Sequence, residues 1–351
     1  MSRGFESFLA LPEQDKRDLF DEVANRLDTL PSYAEKDFWV CLVLDALYNR
    51  LPDGHPRLLF KGGTSLSKAF NLIRRFSEDI DLVVYRDDLG FQGQRDPTIA
   101  SNLSNRKRND LFKQLKASCS HYVLGEMRAA LAKLMNRVGD GCTVLPDESD
   151  NDQQTILVEY PTLFPLKDVA YVAPRVRIEA GARSALDPNL TCSVTPYIAH
   201  ELADWSLGVK HVRSIAPERT LWEKLLILHG VHCGFRDSRR APADRDRISR
   251  HYYDVAMIAS TDLGKAALRD FGLLDSVRNH NLTAFRQAWK RFEEAVPGSV
   301  KLVPQSDLRR LIERDYTAMQ GMILGDPPRF EWILEQLEHA EAVIDRSRVN
   351  S

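Results

Sequence analysis

The sequence predicts a mixed α/β first part followed by a mainly helical second part. Over the first two hundred or so residues, short apolar runs bounded by glycine and proline alternate with helical spacing. After about residue 200 the apolar pattern turns helical almost to the end. One early run, RRFSEDIDLVVY at 74–85, sets three acids, Glu78, Asp79 and Asp81, against Ile80, Leu82, Val83 and Val84, so carboxylates stand at the mouth of a buried strand.

The elements follow in order. In 13–30, Leu19, Phe20, Val23, Leu27 and Leu30 recur at helical spacing. A second helix covers 34–51, with Val40, Leu44, Leu47 and Leu51 on one face and Pro-Asp-Gly after it as a stop. RLLFKGG reads as a short buried strand ending in glycines, SLSKAFNLI as a helix, and IDLVVY as a second strand. Residues 101–137 read as helical, with a basic front of Arg106, Lys107, Arg108, Lys113 and Lys116. The polar 138–155 is a surface hairpin or loop, and ILVEYPTLF and RVRIEAGARS alternate like paired strands. The later helices break near 234–243, 297–304 and 325–328. No internal repeat or low-complexity segment interrupts the chain.

A length of 351 residues, at about 150 per domain, predicts two domains, taken as 1–200 and 201–351. With 28% charged and 43% hydrophobic residues the chain is not a disordered one. A net charge of −2 offers no global field for a polyanion, so nucleic-acid binding must come from local patches. The first residues lack a basic end before a long apolar run, and no stretch of about 18 residues is apolar, so neither a secretory signal nor a membrane partner is expected. Cys41, Cys119, Cys142, Cys192 and Cys233 are scattered with no CxxC pair, which argues against a disulfide framework or structural zinc and fits a reducing cytoplasm.

On a strand, Asp79 and Asp81 are two apart and share a face, their Cα atoms about 6.5–7 Å apart. Two like charges there are costly unless neutralised, and Mg²⁺, which takes oxygen ligands from one or two carboxylates plus substrate phosphates, is the expected neutraliser. The plain alternative is a strand end emerging into water. Just upstream, Gly62, Gly63, Thr64 and Ser65 form a strand-to-helix turn. Glycines let the backbone approach a phosphate, a helix N-terminus supplies free N–H groups, and the two hydroxyls add donors. The spacing is not that of a P-loop. Gly-Gly, a helix, then a strand with Asp-x-Asp resembles the nucleotidyltransferase superfamily signature, although the stretch from the glycines to Asp79 is longer than that superfamily's commonest spacing.

Further blocks occur in order: EKDFWVCLVLDAL (35–47), FKGGTSLSKAF (60–70), RFSEDIDL (75–82), YPTL (160–163), VRIEAGARS (176–184), ERTLWEKLLILH (218–229) and RHYYDVAMI (250–258). Together they resemble the AbiEii family, nucleotidyltransferase toxins of type IV toxin–antitoxin and phage-abortive systems, over about residues 34–260. The resemblance implies an α+β fold, with a nucleotidyltransferase-like mixed β-sheet core, flanking helices and a mainly helical C-terminal part contributing Lys224 and Asp254 to the cleft. It implies a triphosphate on the Gly62–Ser65 turn and Mg²⁺, or Mn²⁺, on Asp79 and Asp81 with a third carboxylate on a neighbouring strand.

Glu179 is the candidate for that third carboxylate, since alternation places it opposite Val176 and Ile178; pairing with Arg177 or Arg183 is the alternative. Arg183 is read either as a phosphate contact or as that partner. Lys224 matches the family's functional lysine and suits a nucleotide phosphate as a point charge. Asp254 matches the family's aspartate in the later helix, with two roles open, a base or an orienter of Lys224. The family often has Arg-Asp before the aromatic pair; here Arg250-His251 stands instead, so the chain offers no acid at that position. Ser77 matches the family's serine, read as a triphosphate contact, a regulatory or self-modification target, or a turn-closing hydroxyl. Arg236, Arg239, Arg240, Arg245, Arg247 and Arg250 outnumber Asp237, Asp244 and Asp246 in RDSRRAPADRDRISR, a loop suited to an RNA backbone or simply to water; Arg106–Arg108 is a second such run. The histidines show no ligand spacing and read as ordinary residues.

The expected activity is transfer of NMP from an NTP to an acceptor, by the family an RNA and a tRNA 3′ end, stopping translation, with a cognate antitoxin encoded nearby. The rivals are nucleotidylation of a protein or small-molecule hydroxyl, a nucleotide-binding regulator without catalysis, and a protein that only sequesters RNA.

Overall fold

The computed structural model describes residues 3–139, 141–164, 173–243 and 247–346. The chain forms two units, one of Met1–Asn71 with Phe76–Ile215 and one of Leu72–Arg75 with Ala216–Ser351.

In the first unit the helices are α1 (Arg3–Leu9), α2 (Glu13–Leu27), α3 (Pro31–Asn49), α4 (Gly62–Lys68), α5 (Asn105–Tyr122) and α6 (Arg128–Met135), the last two joined by a π turn at Val123–Met127. The strands are β1 (Leu58–Lys61), β2 (Ile80–Val84), β3 (Thr143–Pro146), β4 (Thr155–Glu159), β5 (Arg175–Gly181), β6 (Asn189–Val194) and β7 (Val209–Ile215). They form one mixed sheet in the order β3-β4-β5-β2-β1-β7-β6. β2 lies antiparallel to β1 and parallel to β5, and β1 runs parallel to β7. The fold class is α+β, as expected. The polar 138–155 segment does form a hairpin, with β3 antiparallel to β4, and β4 and β5 are antiparallel neighbours.

Helix α3 is buried from Ser32 to Leu47 on every side. Its sequence is apolar nearly all round, as a helix inside a core must be. It packs into the cluster that holds Phe60, Ile80, Leu82 and Val84 of the central strands and Val176 and Ile178 of β5. Leu59, Val83, Tyr85 and Ile215 form a small cluster of their own. β1 and β2 are therefore buried almost throughout, as central strands with a parallel neighbour are.

Two details depart from the sequence reading. The pattern after residue 200 does not turn helical at once: VKHVRSI forms β7 and takes the place beside β1. Its alternation is weak and hides its role, which is fixed by pairing on both sides. The helix after β1 begins at Gly62 itself and ends at Lys68, short of the expected SLSKAFNLI, because Asn71 adopts positive φ and the chain then crosses into the second unit.

The second unit contains α7 (Pro217–Ser238), α8 (Ser249–Ala259), α9 (Asp262–Ala267), α10 (Phe271–Ala284), α11 (Ser306–Met319) and α12 (Phe330–Arg346). The segment 72–75 belongs to it: Arg74 N–H donates to the Tyr253 hydroxyl at 3.2 Å, Leu324 N–H donates to the Arg74 carbonyl at 2.8 Å, and Arg75 forms an isolated bridge with Ile323. Among the described residues, no helix is long and apolar enough to cross a membrane.

Candidate active site

The acids stand where three central strands meet. Asp79 immediately precedes β2 and Asp81 lies within it. In register, Asp81 is opposite Lys61 of β1 on one side and Glu179 of β5 on the other. Paired residues of neighbouring strands project to the same face, so Asp81 and Glu179 are side by side. Burial, and then the nearby charges of Glu78, Asp81 and Glu179, push the Asp79 carboxyl up to about 6. Glu179 also pairs with Arg177, Oε1 to Nη1 at 3.0 Å. Arg183 stacks its guanidinium over Phe112 at 4.2 Å.

The glycine turn is built around one of these acids. Gly62 has φ +80°, and a Cβ there would lie 2.0 Å from Asp81 Oδ2. Only glycine lets the carboxylate rest against this backbone. Gly63 is buried in the first turn of α4. Thr64 and Ser65 have no exposed surface. The Thr64 hydroxyl donates to the Asp79 carbonyl and lies 2.8 Å from Ser77 Oγ, and Ser65 Oγ donates to the Gly62 carbonyl at 2.9 Å. The Thr64 hydroxyl thereby ties the loop 77–79 to the turn, and the Ser65 hydroxyl bonds within the turn itself. The Ser77 contact with Thr64 is that of a hydroxyl within the turn.

A neighbouring set escaped the sequence reading. Glu35, Lys36 and Asp37 are consecutive, charged and buried on α3. Lys36 Nζ lies 2.5 Å from Glu78 Oε2 and donates to the Ala173 carbonyl at 3.0 Å. Burial pulls the Lys36 ammonium down while Glu78 and Asp79 oppose it, so this lysine is the buried cation facing the acid cluster. Asp37 pairs with Lys68 at 2.6 Å and accepts from Tyr197 N–H, and Glu35 accepts from Leu163 N–H and the Thr162 hydroxyl. Charges in a helix apolar elsewhere were the available signal, because such residues stay buried only when paired.

The second unit carries its own cluster. Asp254, wholly buried on α8, receives Arg75 Nε at 2.7 Å and Nη2 at 2.9 Å, and Lys224 Nζ of α7 at 2.9 Å. Burial alone would raise the Asp254 carboxyl; Arg75 and Lys224 overcome it and hold the group well below the usual carboxylate range. Burial lowers Lys224 and Asp254 opposes that. The ammonium also reaches His251 Nδ1 at 3.3 Å. Burial, Lys224 and Arg250 keep His251 well below its ordinary value, so the neutral ring accepts at Nδ1. Sequence reasoning joined Lys224 to Asp254 but missed Arg75 and left His251 as ordinary. An aspartate inside YYDVAMI should have prompted a search for its cations.

A family model described as nucleotidyl transferase AbiEii toxin, type IV TA system, matches residues 45–336. The chain belongs to this family. It is a nucleotidyltransferase toxin using an NTP, and a type IV system implies a cognate antitoxin. Among solved structures, the nucleotidyltransferase toxin MenT4 from Mycobacterium tuberculosis H37Rv is similar at 16% identity, over 93% of this chain and 89% of that one, with a TM-score of 0.48. No curated protein matches the chain.

The basic segment of this AbiEii toxin divides. Arg236 is tied to Asp237 at 2.6 Å and Glu294 at 2.9 Å, with Arg291 joining Asp237, so it belongs to a surface ion-pair network. Arg239 caps α7 with φ +54° and lies over Phe235. Arg240 is exposed and stacked on Trp289 at 4.6 Å. Arg247 is exposed at φ +45°. Arg245 lies outside the described residues.

Proposed function

We infer that this toxin transfers NMP from an NTP to an RNA acceptor, a tRNA 3′ end, and so stops translation in the cytoplasm until an antitoxin encoded nearby neutralises it. The observation that carries the chemistry is the crowding of Asp79, Asp81 and Glu179 beside a glycine turn that a single Cβ would close. Among the described residues, no three His, Cys, Asp or Glu side chains converge as a ready-made metal site. The donor set nonetheless suits a hard divalent cation: the ligands are all oxygen, and burial, followed by the charge of the neighbouring acids, raises the proton affinity of Asp79. Asp79 and Asp81, with Glu179, would hold Mg²⁺ or Mn²⁺, which when bound supplies charge neutralisation for the α-phosphate displacement.

The chain's own groups then have defined tasks. Gly62 keeps Asp81 against the turn that takes the triphosphate. Thr64 and Ser77 fix the approach of Asp79 to that turn. Lys224 acts as the phosphate-binding point charge. Asp254 is a positioning residue: held by Arg75 and Lys224, it is too weak a base to take the acceptor's proton and instead fixes the lysine. The acceptor hydroxyl oxygen bonds to the α-phosphorus and its proton passes to solvent, the bond to the β-phosphate oxygen breaks, and pyrophosphate leaves. Family membership supports a growth-arresting acceptor, and the exposed Arg240 and Arg247 suit a phosphodiester backbone.

The test incubates the purified protein with total bacterial RNA and each labelled NTP in Mg²⁺, beside Asp79→Ala. Label in a tRNA-sized band with the wild type only is expected. Label on a protein band instead would overturn the RNA acceptor, and equal labelling by Asp79→Ala would overturn the site.

A further inference from the structure

The second unit contains a cavity of about 600 Å³, lined in part by Ile227, Val231, Arg240, Arg250, Trp289 and Lys290. That volume is in the range of sites for small organic ligands. Its lining combines apolar side chains, such as Ile227, Val231 and Ile248, with the cations Arg240, Arg250 and Lys290. Among the described residues, neither Arg240, Arg250 nor Lys290 forms an ion pair, and Arg250 Nε is buried without a hydrogen-bond partner. Lys290 is lowered by burial and then by the like charge of Arg240, and both cations lie against the Trp289 ring.

The wall is built for this arrangement. Helix α7 carries two glycines one turn apart, Gly230 and Gly234, in its buried part. A Cβ on Gly230 would lie 3.1 Å from Lys290 Cγ, and one on Gly234 would lie 2.8 Å from the Trp289 ring. Each interior helix glycine costs about 1 kcal/mol relative to alanine. These two let Trp289 and Lys290 lie flush on the helix, with Arg240 stacked on the indole. The same cavity reaches His251, which holds Lys224 through Nδ1.

We propose that this cavity binds one nucleotide unit, its phosphate on Arg240, Arg250 and Lys290 and its base against Trp289 and the apolar side chains of the lining, whether the unit is free or part of a single-stranded RNA. Cations around a half-buried indole are the chemistry that takes a phosphate and an unstacked base together. The proposal does not use the transfer reaction, and it names Trp289, Lys290 and Arg250 in place of the loop arginines alone.

The experiment uses the full chain carrying Asp79→Ala, in EDTA and without NTP, so that no transfer occurs. A 5′-labelled hexanucleotide RNA is followed by fluorescence anisotropy and AMP by calorimetry. Arg240→Glu with Lys290→Glu is expected to weaken whichever probe binds by tenfold or more. Loss for RNA alone assigns the unit to a strand; loss for AMP alone or for both assigns a free-nucleotide site. Should the charge reversal fail to fold by circular dichroism, Arg240→Gln with Lys290→Gln replaces it. For RNA, this pair should also make the dependence of log Kd on log salt shallower by about 1.4, at roughly 0.7 per lost single-strand phosphate contact. No binding of either probe, or a change below threefold for both, overturns the proposal. NTP transfer by the chain with Asp79 intact is scored separately, so the failure of one reading does not decide the other.

Discussion

Asp79→Asn should make the metal-free protein more stable at neutral pH while abolishing transfer. The Asp79 carboxyl is pushed from 3.8 up to about 6 by burial and by three neighbouring acids. The folded state therefore binds the proton more tightly than the unfolded chain. Stability from this group is full below pH 3.8 and is lost as pH rises through about 6. The two values correspond to roughly 3 kcal/mol of stability lost once the carboxylate is fully ionised. Partial solvent contact reduces this, so a gain on the order of 1–3 kcal/mol is expected for the asparagine at pH 8. For a unit of this size that is a thermal midpoint raised by about 2–6 °C. The assay is thermal unfolding in EDTA at steps from pH 4 to pH 8, repeated with Mg²⁺ or Mn²⁺. The wild type and variant should converge near pH 4 and diverge above pH 6. The divalent ion should stabilise the wild type and leave the variant unmoved. A variant no more stable than wild type at pH 8 would refute the argument that these carboxylates repel one another.

Gly62→Ala forces a Cβ into Asp81 Oδ2 and a side chain into positive φ, so transfer in the labelling assay should fall at least tenfold, and retention of half the activity would show that the turn yields freely. Asp254→Ala leaves Arg75 and Lys224 buried without their acid and should cost about 3–5 kcal/mol in urea unfolding; a loss below 1 kcal/mol would mean the cluster relaxes into water. Lys36→Met removes a charge that holds Asp79 down, so the acid limb of the pH–rate profile should move to higher pH, and a limb that stays or moves to lower pH would contradict the placement of this lysine.

Much of the site was legible in the sequence for a local reason. Gly62, Asp79 and Asp81 act through strand alternation and turn geometry, which operate over a few residues and leave a pattern in linear order. The alternation of β5 likewise set Glu179 on the face opposite Val176 and Ile178, and the register then put it beside Asp81. Partners that meet through packing left no such pattern. Arg75 and Asp254 are 179 positions apart, and Lys36 meets Glu78 only because α3 lies against the sheet. The same holds for β7, whose alternation is weak and whose place beside β1 is decided by backbone pairing with distant strands. The bonding of Thr64 and Ser65 to nearby carbonyls was also invisible, since the same hydroxyls serve a phosphate or a carbonyl equally well. By itself the sequence determined the α+β class, the family and the identity of the acid-bearing strand, because these rest on residue types and short-range spacing. Only the tertiary structure decided which buried charges neutralise one another, because a charge is stable in a core only beside a counter-charge that folding brings to it.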